Sequence, residues 1–265
     1  MKKVLIEVQY NGKNFSGWQI QNVKGKELRT VEGELKKILS SFLGEKISLF
    51  ASGRTDAGVH AKSQFAHFET SSKMDLEKLP QALQNLLPDD ISVTNSKIVP
   101  NNFNARYCVK EKTYHYMCYI SKIRDVFLDQ YAMQIKDDLD IKKMKKAIKY
   151  FVGEHDFTSF CLAKKAYEKN DFDFDLPQEI FKKKQTNFRT ITNFKIEKKG
   201  NTITFKISGN GFLHNMVRII VGTLIEIGER RRKCEEILDI LNKKNRIYAG
   251  KTAPSNGLML YSVKY

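Results

Sequence analysis

One carboxylate stands out by its setting. Asp56 lies within Ser52-Gly53-Arg54-Thr55-Asp56-Ala57-Gly58-Val59-His60-Ala61, two residues after an arginine and two before a glycine. An apolar, strand-like run precedes the segment (Ile47, Leu49, Phe50, Ala51), and another follows it (Phe65, Ala66, Phe68). Two glycines this close allow a tight turn with positive φ, or a close approach of backbone to a ligand. A turn of this kind carries an acidic group out of a sheet and presents it to a cleft. Arg54 is placed to keep that group ionised at neutral pH, because a nearby cation lowers a carboxylate's pKa. The same spacing also suits an ordinary turn or cap aspartate.

The segment from Gly53 to His60 resembles the signature of the TruA-type pseudouridine synthases, the tRNA pseudouridine synthase A family, which modifies the tRNA anticodon arm. An eight-residue match with both functional and glycine positions is far more specific than a lone G-x-G pattern. Tyr10-Asn11-Gly12, Gly17-Trp18-Gln19 and Gln21-Asn22 resemble the family's opening segment, with Asn11 where the family usually has aspartate. Thr30-Val31-Glu32-Gly33-Glu34-Leu35 resembles its first helix. Leu87-Pro88-Asp89-Asp90-Ile91, Phe103-Asn104-Ala105-Arg106 and Lys112-Thr113-Tyr114-His115-Tyr116 follow in the expected order. So do His155-Asp156-Phe157-Thr158-Ser159-Phe160 and Gly211-Phe212-Leu213-His214-Asn215-Met216-Val217-Arg218. The matches span nearly the whole chain.

The resemblance implies a cofactor-independent isomerase. Making pseudouridine breaks the bond from ribose C1′ to uracil N1, turns the base and rejoins it through C5. No atom is added and no redox change occurs. A carboxylate suits the step, because a covalent intermediate divides one hard step into two easier ones. By resemblance Asp56 is that group, Arg218 is its pairing partner and Tyr114 is the active-site tyrosine. A bidentate arginine would keep the carboxylate charged and aimed. Arg218 also reads as a surface arginine in a weak ion pair. Its place after Met216 and Val217, in a largely apolar stretch, favours a buried arginine that needs a partner. Tyr114 would stack on the uracil and assist proton removal from C5. On an alternating strand it also reads as a core aromatic, and Tyr116 has the same parity. Phe212 and Leu213 would wall the uracil pocket, although ordinary helix packing uses the same residue types. A stacked uracil must leave its stack to react, at a cost of roughly a few kcal/mol. Arg54 is placed to fill the vacated space or clamp a phosphate. His60 and His67 read as turn or core histidines.

Composition agrees with an RNA partner without proving it. The 265 residues carry a net charge of +16, a field that attracts polyanions and rewards phosphate contacts. A lysine-rich surface of no specific use accounts for stretches such as Lys142-Lys143 and Lys145-Lys146 equally well. Arg230-Arg231-Arg232-Lys233 and Lys243-Lys244 read either as backbone-tracking groups or as solvated helix faces. The four cysteines (Cys108, Cys118, Cys161, Cys234) form no C-x-x-C pair, and no histidine cluster offers metal-ligand spacing. They read as reduced thiols, mostly core fillers. No metal is expected. The opening apolar run is cut short by Glu7, and no window reaches the length of a membrane span. A cytoplasmic protein is expected.

The elements that must hold these groups follow from periodicity. Val4, Ile6, Val8 and Tyr10 alternate as a half-buried strand. Thr30 can cap a helix with stripe Val31, Leu35, Ile38, Leu39 and Phe42. Strands are expected over 47–51, 64–69 and 91–99, with a helical stripe of Leu76, Leu79, Leu83, Leu86 and Leu87. The second half repeats the pattern. It has a strand over 113–120, a helix capped by Asp140, a hairpin of 189–198 with 202–208, a helix over 213–227, a short helix over 235–242 and a closing strand over 258–265. Between them, Asp171, Asp173 and Asp175 alternate with Phe172 and Phe174 in a segment, 163–187, that we expect to influence RNA choice by repelling phosphate.

The expected fold is α+β, with an N-terminal half (1–105) carrying the Asp56 loop and a C-terminal half (106–265) completing the cleft. The resemblance makes these two ferredoxin-like halves joined into a continuous antiparallel sheet around a central basic cleft. It also implies a homodimer acting on uridines near tRNA positions 38 to 40. The alternatives are the same chemistry on ribosomal RNA, or an RNA-binding module without catalysis. A pure binder has no need of Asp56, Arg218 and Tyr114 together.

Overall fold

A computed structural model describes residues 1–162 and 186–265. They divide into two compact units, Met1–Thr113 with Leu258–Tyr265, and Tyr114–Gly257. In chain order the elements of the first unit are β1 (Lys2–Tyr10), β2 (Asn22–Val23), β3 (Lys26–Glu27), α1 (Val31–Leu43), β4 (Phe50–Ala51), β5 (His60–Thr70), α2 (Leu79–Leu83) and β6 (Ile91–Val99). The strand β7 (Glu111–Ile120) leads into the second unit. That unit has β8 (Met133–Ile135), α3 (Ile141–Ala147), β9 (Gly153–Asp156), β10 (Phe188–Lys199), β11 (Thr202–Gly209), α4 (Met216–Gly228) and α5 (Glu236–Lys243). The last strand, β12 (Leu258–Lys264), belongs to the first unit. The acidic–phenylalanine segment beginning at Ala163 lies outside the described residues.

The first unit runs β1-α1-β4-β5-α2-β6. Its strand order is β6-β1-β5, with β4 paired to β5, which is a ferredoxin-like arrangement. β1 is antiparallel to both neighbours, and β12 lies parallel to β5 through Met259↔His60 and Leu260↔Ala61. α1 begins where Thr30 accepts a hydrogen bond from the Gly33 N–H, and it ends at Gly44 in the left-handed region. Its buried stripe is Val31, Leu35 and Leu39, while Phe42 lies exposed. The leucine stripe ahead of Pro88 is buried at Leu76, Leu79, Leu83 and Leu87 but not at Leu86.

Simple alternation in β1 predicts one buried face, but both are covered. Val4, Ile6, Val8 and Tyr10 fill one side, and Leu5 is buried on the other with Val99 and Ala105, against Phe65, Phe103 and Tyr265. The chain after β6 folds over that second face. The Lys3 ammonium donates to the carbonyls of Asn101 and Phe103, and the Tyr265 hydroxyl donates to that of Ala105.

His67 is part of this layer. Its ring stacks on Phe50 at 5.0 Å, and its Nδ1 accepts the Ala105 N–H at 3.2 Å. Burial, with Lys3 nearby, lowers its pKa from 6.5 to about 4. The native state therefore binds fewer protons than the unfolded chain between those values. The stabilisation is fully present above pH 6.5 and is lost as pH falls toward 4. Urea melts at pH ~7 and ~4.5 are expected to differ by about 2 kcal/mol more in the parent than in His67→Gln. An equal pH dependence in the two proteins would refute this.

The second unit follows the same β-α-β-β-α course through β7, α3, β10, β11 and α4. Its strand order is β7-β11-β10-β9, with β8 parallel to β7. Asp140 caps α3 by accepting the Lys143 N–H, and Met144 and Ala147 are buried. α3 approaches α4 at Gly228, where a Cβ would come 2.6 Å from the Met144 sulfur. Every residue of α4 is buried except Arg218. A helix covered on nearly all sides has to lie inside, so its one residue that is not buried, Arg218, has a fixed address.

Candidate active site

The Asp56 loop connects β4 to β5, and the opening segment braces it. The Val59 N–H donates to the Asp56 carbonyl at 3.2 Å, closing a turn with Gly58 at φ +77°. The Trp18 N–H donates to the Thr55 carbonyl at 3.1 Å, and the Gly58 N–H donates to that of Phe15 at 3.2 Å. The hydroxyls of Tyr10 and Thr55 share a buried hydrogen bond of 2.7 Å. Burial pushes the Tyr10 pKa up, so this phenol stays protonated. At the loop's ends, Gln64 donates to the Gly53 carbonyl at 2.8 Å and Lys112 donates to that of Ser52 at 2.6 Å.

Two glycines of the opening segment make this contact possible. A Cβ on Gly12 would lie 2.0 Å from the Val59 carbonyl oxygen. One on Gly17, which sits at φ +96°, would lie 2.7 Å from that of Thr55. The Gly12 N–H donates to Nδ1 of His60, a fully buried histidine whose place is structural. The segment continues directly into α1, since the Val31 and Glu32 N–H groups donate to the carbonyls of Gly17 and Trp18. Asp56 is half-buried at the tip of this braced turn, and Arg54 beside it is exposed. The arrangement can present one carboxylate from an immobile backbone.

The second unit carries Tyr114, Phe212, Leu213 and Arg218. Tyr114 and Phe212 meet edge to face, with ring centroids 5.1 Å apart. Gly209 makes room for the Phe212 ring, which would lie 3.3 Å from a Cβ there. Tyr116, of the same strand parity, is fully buried. Its hydroxyl donates to the Pro254 carbonyl and its ring packs on Gly257. Of the two tyrosines, Tyr114 therefore has the aromatic partner from the 211–218 motif. Phe212 and Leu213 lie on a turn ahead of α4, not within the helix that periodicity predicts from 213. Asn215 takes the left-handed conformation (φ +59°) and delays the helix to Met216.

Arg218 is held from two sides. Its Nε donates to the Ala253 carbonyl at 2.7 Å, and its Nη1 donates to Oδ1 of Asn215 at 2.5 Å. Asn215 lies within the 211–218 motif but Ala253 outside any motif, and neither role is legible in the sequence, because the contribution is an oxygen whose position depends on the fold.

The remaining basic runs are largely engaged in local pairs. Arg232 pairs with Glu226 and Glu236, Arg231 with Glu229, Arg230 with Asp140 and Lys244 with Asp156. Such pairs mark solvated faces more than phosphate tracks. Cys118, Cys161 and Cys234 are buried and Cys108 is exposed. Among the described residues no group of three or more His, Cys, Asp or Glu side chains could hold a metal ion, and no helix is long and apolar enough to cross a membrane.

Comparison with known sequences is consistent along the chain. The model of the tRNA pseudouridine synthase family matches residues 6–108 and 147–265. The tRNA pseudouridine synthase A of Anoxybacillus flavithermus is 42% identical over 266 residues, covering 100% of this chain and 99% of its own. That of Brevibacillus brevis is 41% identical with 100% of both chains covered. That of Halalkalibacterium halodurans is 42% identical over 98% of this chain and 91% of its own.

Proposed function

Because the chain belongs to the tRNA pseudouridine synthase family, we propose that it isomerises uridine to pseudouridine in tRNA, at uridines 38 to 40 of the anticodon arm. Asp56 is the nucleophile. The Asp56 carboxylate bonds to the ribose or the base as the C1′–N1 bond breaks, the uracil turns and a C1′–C5 bond forms. Asp56 is then released, the C5 proton leaves to solvent and N1 takes up a proton in its place. Arg218 pairs with the Asp56 carboxylate in the reacting complex and keeps it charged. Tyr114 stacks on the flipped uracil, and its hydroxyl takes part in removing the C5 proton. Phe212 and Leu213 wall the base. Arg54, exposed beside Asp56, fills the vacated stack or holds a phosphate. The enzyme acts in the cytoplasm as a homodimer.

The observation that supports this reading most is the braced turn. A carboxylate needed only as a turn residue does not require the Tyr10–Thr55 bond, the Gly12 and Gly17 contacts and the Gly58–Phe15 bond around it. Electrostatic and nucleophilic roles need such preorganisation.

The test is tritium release from tRNA transcripts labelled at uridine C5. Intact protein is expected to release label from a transcript with uridines at 38 to 40, and none from one with cytidines there. Release that survives those replacements would overturn the anticodon-arm assignment. Release confined to ribosomal RNA would overturn tRNA as the substrate.

A further inference from the structure

We propose that Asn215 is a positioning residue for Arg218, acting with a strap of chain at 249–253 that α4 holds along its side. The inference rests on the reading of Arg218 given above. It starts from a conformation: Asn215 is a non-glycine residue at φ +59°, immediately before α4. That conformation is uncommon outside glycine, and asparagine is among the side chains that tolerate it. It does not serve as a helix cap, since the Asn215 side chain makes no capping hydrogen bond. Its Oδ1 accepts from Arg218 Nη1 instead.

The other hold on the guanidinium comes from the strap. Ala253 bonds Arg218 twice, its N–H donating to the Arg218 carbonyl at 3.1 Å and its carbonyl accepting from Nε. Every part of the strap is fixed in turn. The Gly250 N–H donates to Thr223 Oγ1 at 2.9 Å, and the Lys251 N–H donates to Glu226 Oε1 at 3.0 Å. From the opposite side Arg246 donates to the Ala249 carbonyl and to Thr252 Oγ1. Gly222 lets the strap lie against the helix, since a Cβ there would come 1.7 Å from the Lys251 carbonyl oxygen.

An arginine side chain has several rotatable bonds, and fixing its fork costs conformational entropy at each turnover unless the fold has done so already. Two acceptors, the Ala253 carbonyl and the Asn215 side-chain oxygen, meet different nitrogens of the guanidinium and pre-set its plane. The role is one of aim and not of charge, so its loss should appear in the chemical step and not in RNA affinity.

Asn215→Gly separates the two functions of the residue, because glycine keeps the left-handed backbone and removes only the acceptor. Single-turnover pseudouridine formation is expected to fall at least fivefold, with KM for tRNA within twofold and the melting temperature essentially unchanged. Thr223→Val, an isosteric change that releases the strap, is expected to lower kcat at least threefold with the same unchanged KM. It supplies the readout if Asn215→Gly does not fold. Full rates in these variants, or losses carried by KM, would overturn the proposal. Arg218→Ala separates the two failures. If it turns over normally, the role given to Arg218 falls and this inference with it. If it is inactive while Asn215→Gly and Thr223→Val are normal, only the positioning role falls.

Discussion

Asp56→Asn is expected to lose tritium release by roughly 10⁴-fold or more while binding tRNA within about twofold. The substitution is nearly isosteric and keeps the Asp56 carbonyl that closes the turn. Asparagine is also at home in turns. What it removes is the anionic oxygen proposed to attack the sugar or base, and with it the charge that Arg218 is proposed to match. A loss of that size corresponds to at least about 5.5 kcal/mol of transition-state stabilisation, beyond what a displaced hydrogen bond or a surface ion pair supplies. Single-turnover assays with filter binding on the same preparations decide the matter. A variant within tenfold of the parent would remove Asp56 from the chemistry.

Gly12→Ala should be strongly damaging although it lies outside the loop itself. Its Cβ would meet the Val59 carbonyl oxygen at 2.0 Å and the carbonyl carbon at 2.4 Å, both backbone atoms that no rotamer change can move. Either the end of β1 or the catalytic turn must shift. Overpacking of this kind costs about 3 kcal/mol, which for a chain of this size lowers the melting temperature by roughly 10 °C. A turn displaced by about 1 Å costs on the order of 10²-fold in rate. Gly44→Ala is the control. Gly44 sits at φ +68°, and a Cβ there would have nothing within 4 Å, so this change should lose about 1 kcal/mol of stability and no activity. Equal effects of the two changes on kcat would show that the clamp does not place Asp56.

Much of this arrangement is legible in the residues. The strand over 91–99 occurs with those bounds, the closing strand expected over 258–265 ends one residue earlier, at Lys264, and Thr30 and Asp140 cap the helices they precede. Each rests on a local signal, an alternation or a side-chain oxygen one position before an apolar stripe. Phe42 satisfies the same local rule and lies exposed at the end of α1, and Leu86 lies exposed because α2 has already ended at Leu83. Of the strand expected over 47–51 only Phe50 and Ala51 pair, while Ile47 and Leu49 are buried off the ladder. Burial gives the same apolar signal with or without a partner strand. The signature around Asp56 is equally plain in the sequence, but its bracing is not. Tyr10 reaches Thr55 across 45 residues and Gly12 reaches His60 across 48, and no periodicity encodes which two glycines will admit which two carbonyls.

The late return of β12 to the first unit bears on how the protein is made. Lys62 and Tyr261 touch across 199 residues of chain, and Tyr265 closes the layer over Leu5, Phe65 and Phe103. A ribosome delivers the Asp56 loop early and the strand beside its outgoing end, His60–Ala61, only after the whole second unit has emerged. Until then the His60–Ala61 end of β5 lacks the partner β12 supplies and the aromatic layer has no lid, a state prone to stray pairing. The nascent loop thus waits for β12 before the scaffold at its outgoing end is complete.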